Sequence, residues 1–264
     1  MAGVPPLPLP PPQAMPAVRV DVPLSDGSFA QQLVASDGSA AYQFLRTLQE
    51  ALMGKVKSAV VCARAGGAWA PPAPGAPHTL VAVKQLLKSC VRERRTRAGK
   101  PVQEDPLREV AVLRMLQARA GAGAAAAADV AQRHVMRLIS FLEDEKYFFI
   151  VYEFLDGGEL FSQVQAHGKV PEARAARHFF DTLMGTRFCH DCAVAHRDLS
   201  LENVMLTGGG GGGGGGGSGE PASPAAAAVA TAKLIDFGLA VVMPPAGTLL
   251  AWDGRVGKER CARR

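Results

Sequence analysis

Apolar positions along the chain fall into two periods. Tyr42-Gln43-Phe44-Leu45-Arg46-Thr47-Leu48 reads as a strand, followed by a turn and a second strand over residues 55–63. Thr79-Leu80-Val81-Ala82-Val83-Lys84-Gln85-Leu86 has the near-continuous apolar pattern of a buried strand, and it ends in a cation. Residues 136–141 and 147–152 predict two further strands, and residues 204–206 and 233–235 two short ones. Helical spacing appears at Leu107, Val110, Leu113 and Leu116, behind Asp105 as cap and Pro106 in the first turn. A longer helix opens after Pro171, with Ala173, Ala175, Ala176, Phe179, Phe180, Leu183 and Phe188 on its expected apolar face.

Between these elements the composition changes. Residues 5–12 are almost all proline, which lacks a backbone donor and favours extended polyproline II geometry. Residues 1–40 are therefore expected to form a disordered arm able to dock an SH3- or WW-type groove, with order beginning near Tyr42. Low-complexity inserts fall near residues 64–77, 118–129 and 207–231. The last contains an unbroken glycine run from Gly208 to Gly217 and is expected to be disordered.

Of the 264 residues, 48% are apolar, enough for a core, while no run approaches the ~18 apolar residues of a membrane span. Residues 1–24 lack the continuous apolar centre of a signal peptide. The odd count of 5 cysteines argues for a reducing compartment, so an intracellular, cytoplasmic or nuclear, monomeric protein is expected. The formal charge of +5 is mild. A basic block over residues 88–100, with Arg92, Arg94, Arg95 and Arg97, has no interleaved aromatics to stack on bases and reads as a solvated loop rather than a nucleic-acid site. Cys189-His190-Asp191-Cys192 has zinc-like spacing without a second ligand pair, so packing is the preferred reading.

Two stretches carry chemistry. His196-Arg197-Asp198-Leu199-Ser200-Leu201-Glu202-Asn203 and Lys233-Leu234-Ile235-Asp236-Phe237-Gly238 set Asp198, Asn203 and Asp236 on loops beside short apolar strands. Such a set can hold a metal-bound triphosphate and accept a proton from an incoming hydroxyl. With Val81-Ala82-Val83-Lys84 upstream, these stretches resemble the protein kinase family, whose H-R-D-L-x-x-x-N and D-F-G motifs they match letter for letter. The resemblance covers roughly residues 42–257. It implies an α+β, two-lobed protein-kinase-like fold with an incomplete C-terminal lobe: small lobe 41–152, hinge 153–158 and partial large lobe 159–264.

The resemblance also implies ATP and Mg2+ as cofactors and protein Ser/Thr side chains as substrates. Asp198 would orient the substrate hydroxyl and accept its proton, and Arg197 would anchor the activation segment. Asn203 and Asp236 would hold the magnesium ions, and Lys84, oriented by Glu109, would contact the α- and β-phosphates. Val56, Ala82 and Met205 would sandwich adenine, whose edge would meet backbone groups of Glu153 and Leu155, with Tyr152 behind. His196, Phe237, Leu113 and Leu138 would form a stacked apolar column. The sequence Gly157-Gly158-Glu159-Leu160-Phe161 resembles calmodulin-kinase-like enzymes of the Ser/Thr type.

Departures from the pattern matter as well. Of the three glycines expected in the phosphate-covering hairpin only Gly54 is present, Gln49 and Ala51 standing at the others. Ser200 occupies the position of a phosphate-contacting lysine, while Lys258 stands where a threonine is usual, as though the two residue types were exchanged. Thr248 is the sole hydroxyl residue between Gly238 and Arg264 and the candidate phosphosite. The missing Ala-Pro-Glu motif leads to the expectation that these residues alone are unstable or inactive. The alternative reading is a catalytically impaired scaffold that binds nucleotide and protein partners.

Overall fold

The computed structural model describes residues 6–24, 27–73, 75–123, 125–207 and 230–245. The glycine run, Thr248, Arg255, Lys258 and Cys261 lie outside the described residues. The chain divides into two compact units, one made of Pro12–Asp105 and Leu138–Phe154, the other of Met1–Pro11, Pro106–Arg137 and Leu155–Arg264.

The smaller unit is built on seven strands: β1 (Met15–Pro23), β2 (Phe29–Ala35), β3 (Ala41–Ala51), β4 (Gly54–Val61), β7 (Leu80–Leu87), β8 (Leu138–Glu143) and β9 (Tyr147–Glu153). They close into a barrel in the order β1-β2-β3-β4-β7-β9-β8. A small hairpin, β5 (Ala63–Ala65) and β6 (Ala68–Ala70), occupies the insert near residues 64–77. The strands from β3 onward follow the apolar runs of the sequence. Leu33, Ala35, Tyr42, Phe44, Ala59, Val81, Val83, Leu142, Phe149 and Val151 fill the interior.

The first two strands correct the expected disordered arm over residues 1–40. Val18, Val20 and Val22 alternate along β1 in the period of a strand, a signal overshadowed by the prolines before it. Ala17 points inward, and β1 reaches β8 in parallel through Met15↔Leu142 and Pro16↔Glu143. Arg19 fixes the closure: its Nε lies 2.6 Å from Asp144 Oδ2 and its guanidinium 4.9 Å from the Tyr147 ring centroid. Asp144 Oδ1 accepts the N–H groups of Lys146 and Tyr147, so one carboxylate shapes the β8–β9 turn and holds β1.

The basic block is partly helical, in α1 (Lys88–Glu93). Three of its cations pair with carboxylates inside the unit: Lys88 Nζ with Glu143 at 2.6 Å, Arg94 with Asp105, and Arg97 with Glu50 at 3.8 Å.

The larger unit holds α2 (Pro106–Ala122), α3 (Ala125–His134), α4 (Leu160–His167) and α5 (Glu172–Asp191), with two-stranded ribbons β11 (Val204–Thr207) with β12 (Thr231–Leu234) and β10 (Val194–Ala195) with β13 (Val241–Val242). Helix α2 groups here, not with the small lobe 41–152 as expected. The alanine-rich stretch after it forms α3, which packs on α5 and β12 and carries α2 with it.

Helix α5 buries Phe188 of its expected face but turns the rest of that face's large side chains outward. Phe179, Phe180 and Leu183 are 65%, 55% and 49% exposed, while His178, Asp181, Gly185, Phe188 and Cys189 are buried. The orientation follows from two contacts. Asp181, fully buried, accepts the Ala232 N–H at 3.0 Å and the Arg177 Nε–H at 3.1 Å. Gly185 has room for no side chain, since a Cβ there would stand 2.7 Å from the His134 carbonyl oxygen. Among the described residues no helix is long and apolar enough to cross a membrane, and no group of three or more His, Cys, Asp and Glu side chains is placed to hold a metal. Cys189 and Cys192 are buried thiols with pKa values raised by burial, to about 12 for Cys189.

Asp181→Ala leaves the Ala232 N–H without its acceptor, and a buried unsatisfied donor costs about 1–3 kcal/mol. Urea unfolding of the variant is expected to show a loss of that size with an unchanged m-value.

Candidate active site

Strand β10 delivers the chain into the loop that begins at His196. Arg197 takes a left-handed backbone angle, φ 66°, and Asp236 does the same at 59°. Such angles cost a non-glycine residue about 1–3 kcal/mol and persist where surrounding bonds over-determine them. Arg197 Nε donates to the Leu239 carbonyl at 2.7 Å, and Asp236 Oδ1 accepts the Gly238 N–H at 3.2 Å.

Asn203 ties the loop together. Its Nδ2 donates to Asp198 Oδ2 at 2.7 Å and to the Asp198 carbonyl at 2.8 Å. Its own carbonyl accepts the N–H of Ile235, the residue before Asp236, at 3.0 Å. His196, 3% exposed, donates from Nε2 to the Ile235 carbonyl at 3.0 Å and accepts the Asp198 N–H on Nδ1 at 3.3 Å. That pattern fits a neutral ring, and burial holds its pKa below the ordinary histidine value. The ring lies 4.7 Å from that of Phe237, which is fully buried. The structure thus joins Asp198 directly to Asn203, and both to the strand end that carries Asp236.

Other expected site residues of the larger unit sit nearby in the chain. Met205, on β11, pairs with Lys233 and forms a bridge with Glu159. Leu155 is buried, as are Glu109 and Leu113 on α2. Gly157 and Gly158 clamp β11 through Gly157 N–H to Leu206 O and Leu206 N–H to Gly158 O, both 2.9 Å. A Cβ on Gly157 would stand 2.7 Å from the Leu206 carbonyl oxygen, a packing role that its resemblance to a hinge did not disclose.

In the smaller unit, strand register sorts the remaining residues. Val56 lies opposite Lys84 across β4 and β7, and Ser58 opposite Ala82. Val81 and Val83 point into the barrel, so Val56, Ala82 and Lys84 share its outer face. Ala82 also pairs with Tyr152, and Glu153, at the end of β9, pairs with Val81. Leu138 is buried on β8. Gly54 is buried, and a Cβ there would come within 1.9 Å of the Gln85 carbonyl oxygen. Packing against β7 therefore demands glycine at this position irrespective of any phosphate. Gln49 and Ala51 face Val56 and Gly54 across the hairpin.

The family described as Protein kinase domain matches residues 77–257, more than half of the chain. The chain belongs to the protein kinase family. Kinase relatives include CBL-interacting serine/threonine-protein kinase 16 of Arabidopsis thaliana, 30% identical over 167 residues, or 63% of this chain and 27% of that protein. CBL-interacting protein kinase 8 of Oryza sativa subsp. japonica is 36% identical over 117 residues, 44% of this chain and 22% of that protein. Serine/threonine-protein kinase SIK3 homolog of Danio rerio is 38% identical over 73 residues, 28% of this chain and 6% of that protein. This kinase chain spans about a quarter or less of the length of these three relatives.

The donor set of the kinase loop suits the Mg2+ that such enzymes use. The two residues expected to hold it, Asp236 and Asn203, would offer one carboxylate and one amide oxygen, hard donors of the kind that magnesium takes beside water and substrate phosphates. Because Asn203 commits its Nδ2 to Asp198, its oxygen is the atom that it can offer a cation.

Histidines 178 and 196 give the kinase a defined acid sensitivity. Burial lowers both pKa values, and in His178, which faces Asp181, Arg174 and Arg177, neither ring nitrogen has a hydrogen-bond partner in the structure. In the unfolded chain these rings take up protons near pH 6.5, before the folded rings do. Stability is therefore full above that pH and is lost as pH falls below it. The melting temperature is expected to drop between pH 7.5 and 5.5, and His178→Leu to remove part of that drop, as differential scanning fluorimetry of the two proteins would show.

Proposed function

We propose that this chain carries out ATP-dependent phosphoryl transfer to serine or threonine of protein substrates. The observation that carries the reading is the bonded unit of Asp198, Asn203 and the Asp236 strand end, together with the left-handed backbone at Arg197 and Asp236. We read the smaller unit as the nucleotide-covering lobe and the larger unit as the substrate lobe, with residues 153–158 between them. The unit boundary at Phe154 and Leu155 supports that assignment.

In this mechanism Asp198, its carboxylate oriented by the Asn203 amide, would position the substrate hydroxyl and receive its proton as the bond from the hydroxyl oxygen to the γ-phosphorus forms and the bond from that phosphorus to the β-phosphate oxygen breaks, ADP leaving. Asp236 and Asn203 would hold magnesium, which would supply neutralisation of charge on the triphosphate. Lys84 binds the α- and β-phosphates from the face that it shares with Val56 and Ala82, and Glu109 orients it. Val56, Ala82 and Met205 bound the adenine, and backbone groups of Glu153 and Leu155 meet its edge. Arg197 holds the Leu239 carbonyl and so fixes the path of the chain just beyond Asp236.

Ser/Thr rather than Tyr specificity rests on the absence after Asp198 of the arginine that tyrosine enzymes use, and on the names of the relatives. A scaffold without turnover is the second reading, favoured by Gln49, Ala51 and Ser200. The two readings separate on one pair of variants. Asp198→Asn is expected to lower transfer to a Ser/Thr peptide by about 10²-fold or more, the usual loss on removing a general base, while keeping the thermal shift from Mg-ATP. Asp236→Ala is expected to abolish the magnesium-dependent part of that shift. Wild-type binding without turnover would select the scaffold.

We further propose that Lys258 supplies the phosphate contact missing at Ser200. Lys258→Thr is expected to lower turnover at least about tenfold, a fraction of what one charge-stabilising donor contributes, and added Ser200→Lys to restore it. Unchanged turnover in Lys258→Thr would remove Lys258 from the mechanism.

A further inference from the structure

The arm before the barrel has a seat. Among residues 5–12 only Leu7 and Leu9 carry a backbone N–H, because the others are proline. A polyproline II segment makes no internal hydrogen bonds, so these two donors need acceptors outside it. Leu7 N–H donates to the Val242 carbonyl at 3.3 Å, and the two residues form an antiparallel bridge. The arm up to Pro11 belongs to the larger unit although the chain from Pro12 onward belongs to the smaller.

The acceptor lies on a strand with one side already paired. β13 meets β10 through Val194↔Val242 and Ala195↔Val241, and Met243 N–H donates to the Ala193 carbonyl at 2.7 Å. Successive backbone groups of a strand point to opposite sides, so the Val242 carbonyl faces away from β10 and toward the arm. Leu7 itself is 48% exposed, so the main chain rather than the side chain makes the attachment. The strand so engaged follows directly on Asp236-Phe237-Gly238, and Arg197 holds it one turn earlier at Leu239.

We propose that residues 6–10 are an internal ligand for the outer edge of β13, a proline-rich strap that fixes the chain as it leaves Asp236-Phe237-Gly238. The edge suits an extended segment poor in donors, since its outward carbonyl at Val242 asks for one N–H. A groove that reads polyproline II helices competes for the same residues, so its binding and the seat on β13 exclude each other. The seat stands without the assignment of phosphoryl transfer; only its effect on that reaction rests on it.

Hydrogen exchange on the full chain tests the strap without reference to turnover. A peptide covering residues 5–12 reports only two amides, Leu7 and Leu9. One of them is expected to exchange at least about tenfold more slowly than in the free synthetic arm, as a bonded amide does. Two amides exchanging at the free rate would overturn the proposal. Leu7→Pro removes the donor and keeps the polyproline character, and the barrel core should stay protected in this variant. Exchange over residues 239–245 is expected to quicken several-fold, and unchanged exchange there would show that the arm does not fix the strand. Protection without any phosphate transfer would keep the strap and discard the catalytic reading; transfer without protection would do the reverse.

Discussion

One side-chain amide, that of Asn203, sets the geometry on which the chemistry of this kinase depends. With two hydrogen bonds it fixes both the carboxylate and the backbone of Asp198, while the backbone carbonyl of the same residue accepts the N–H of Ile235, next to Asp236. Asp198 and the backbone leading to Asp236 are thus positioned by the same residue. The left-handed backbone at Arg197 and Asp236 would relax if these bonds were absent; the Leu239 carbonyl and the Gly238 N–H hold it from the other side. Local strain at two residues is offset by bonds from their neighbours.

The smaller unit contributes by register rather than by hydrogen-bonded loops. Alternation along β7 sends Val81 and Val83 inward and Ala82 and Lys84 outward, and pairing with β4 sets Val56 across from Lys84. A shift of one residue would bury the lysine and expose the valines. Gly54 guards against such a shift, since only a residue without a Cβ passes the Gln85 carbonyl.

Much of this was legible in the chain itself. β-branched runs marked β7 and β9, the spacing of Leu113 and Leu116 marked α2, and the two motif stretches named Asp198, Asn203 and Asp236. Selection between competing faces was not legible. Helix α5 carries a stripe of phenylalanine that composition would place inside, yet one carboxylate, Asp181, and one gap, Gly185, turn the other side inward. Prolines drew attention from the valine alternation in β1. Helix α2 grouped with the larger unit because the alanine-rich stretch behind it is a packing helix, which low complexity conceals. Left-handed angles at Arg197 and Asp236 leave no trace in residue type, because glycine would have been the ordinary choice there.

The ring of seven strands has a further consequence. An open sheet presents unpaired amides and carbonyls along its rim, an invitation for a foreign strand to add on. Here the hairpin of β1 and β2 spans from β3 round to β8, which it meets at Met15↔Leu142 and Pro16↔Glu143, so part of that rim is taken up by the chain itself. The barrel thereby shields its backbone from neighbours in a crowded solution.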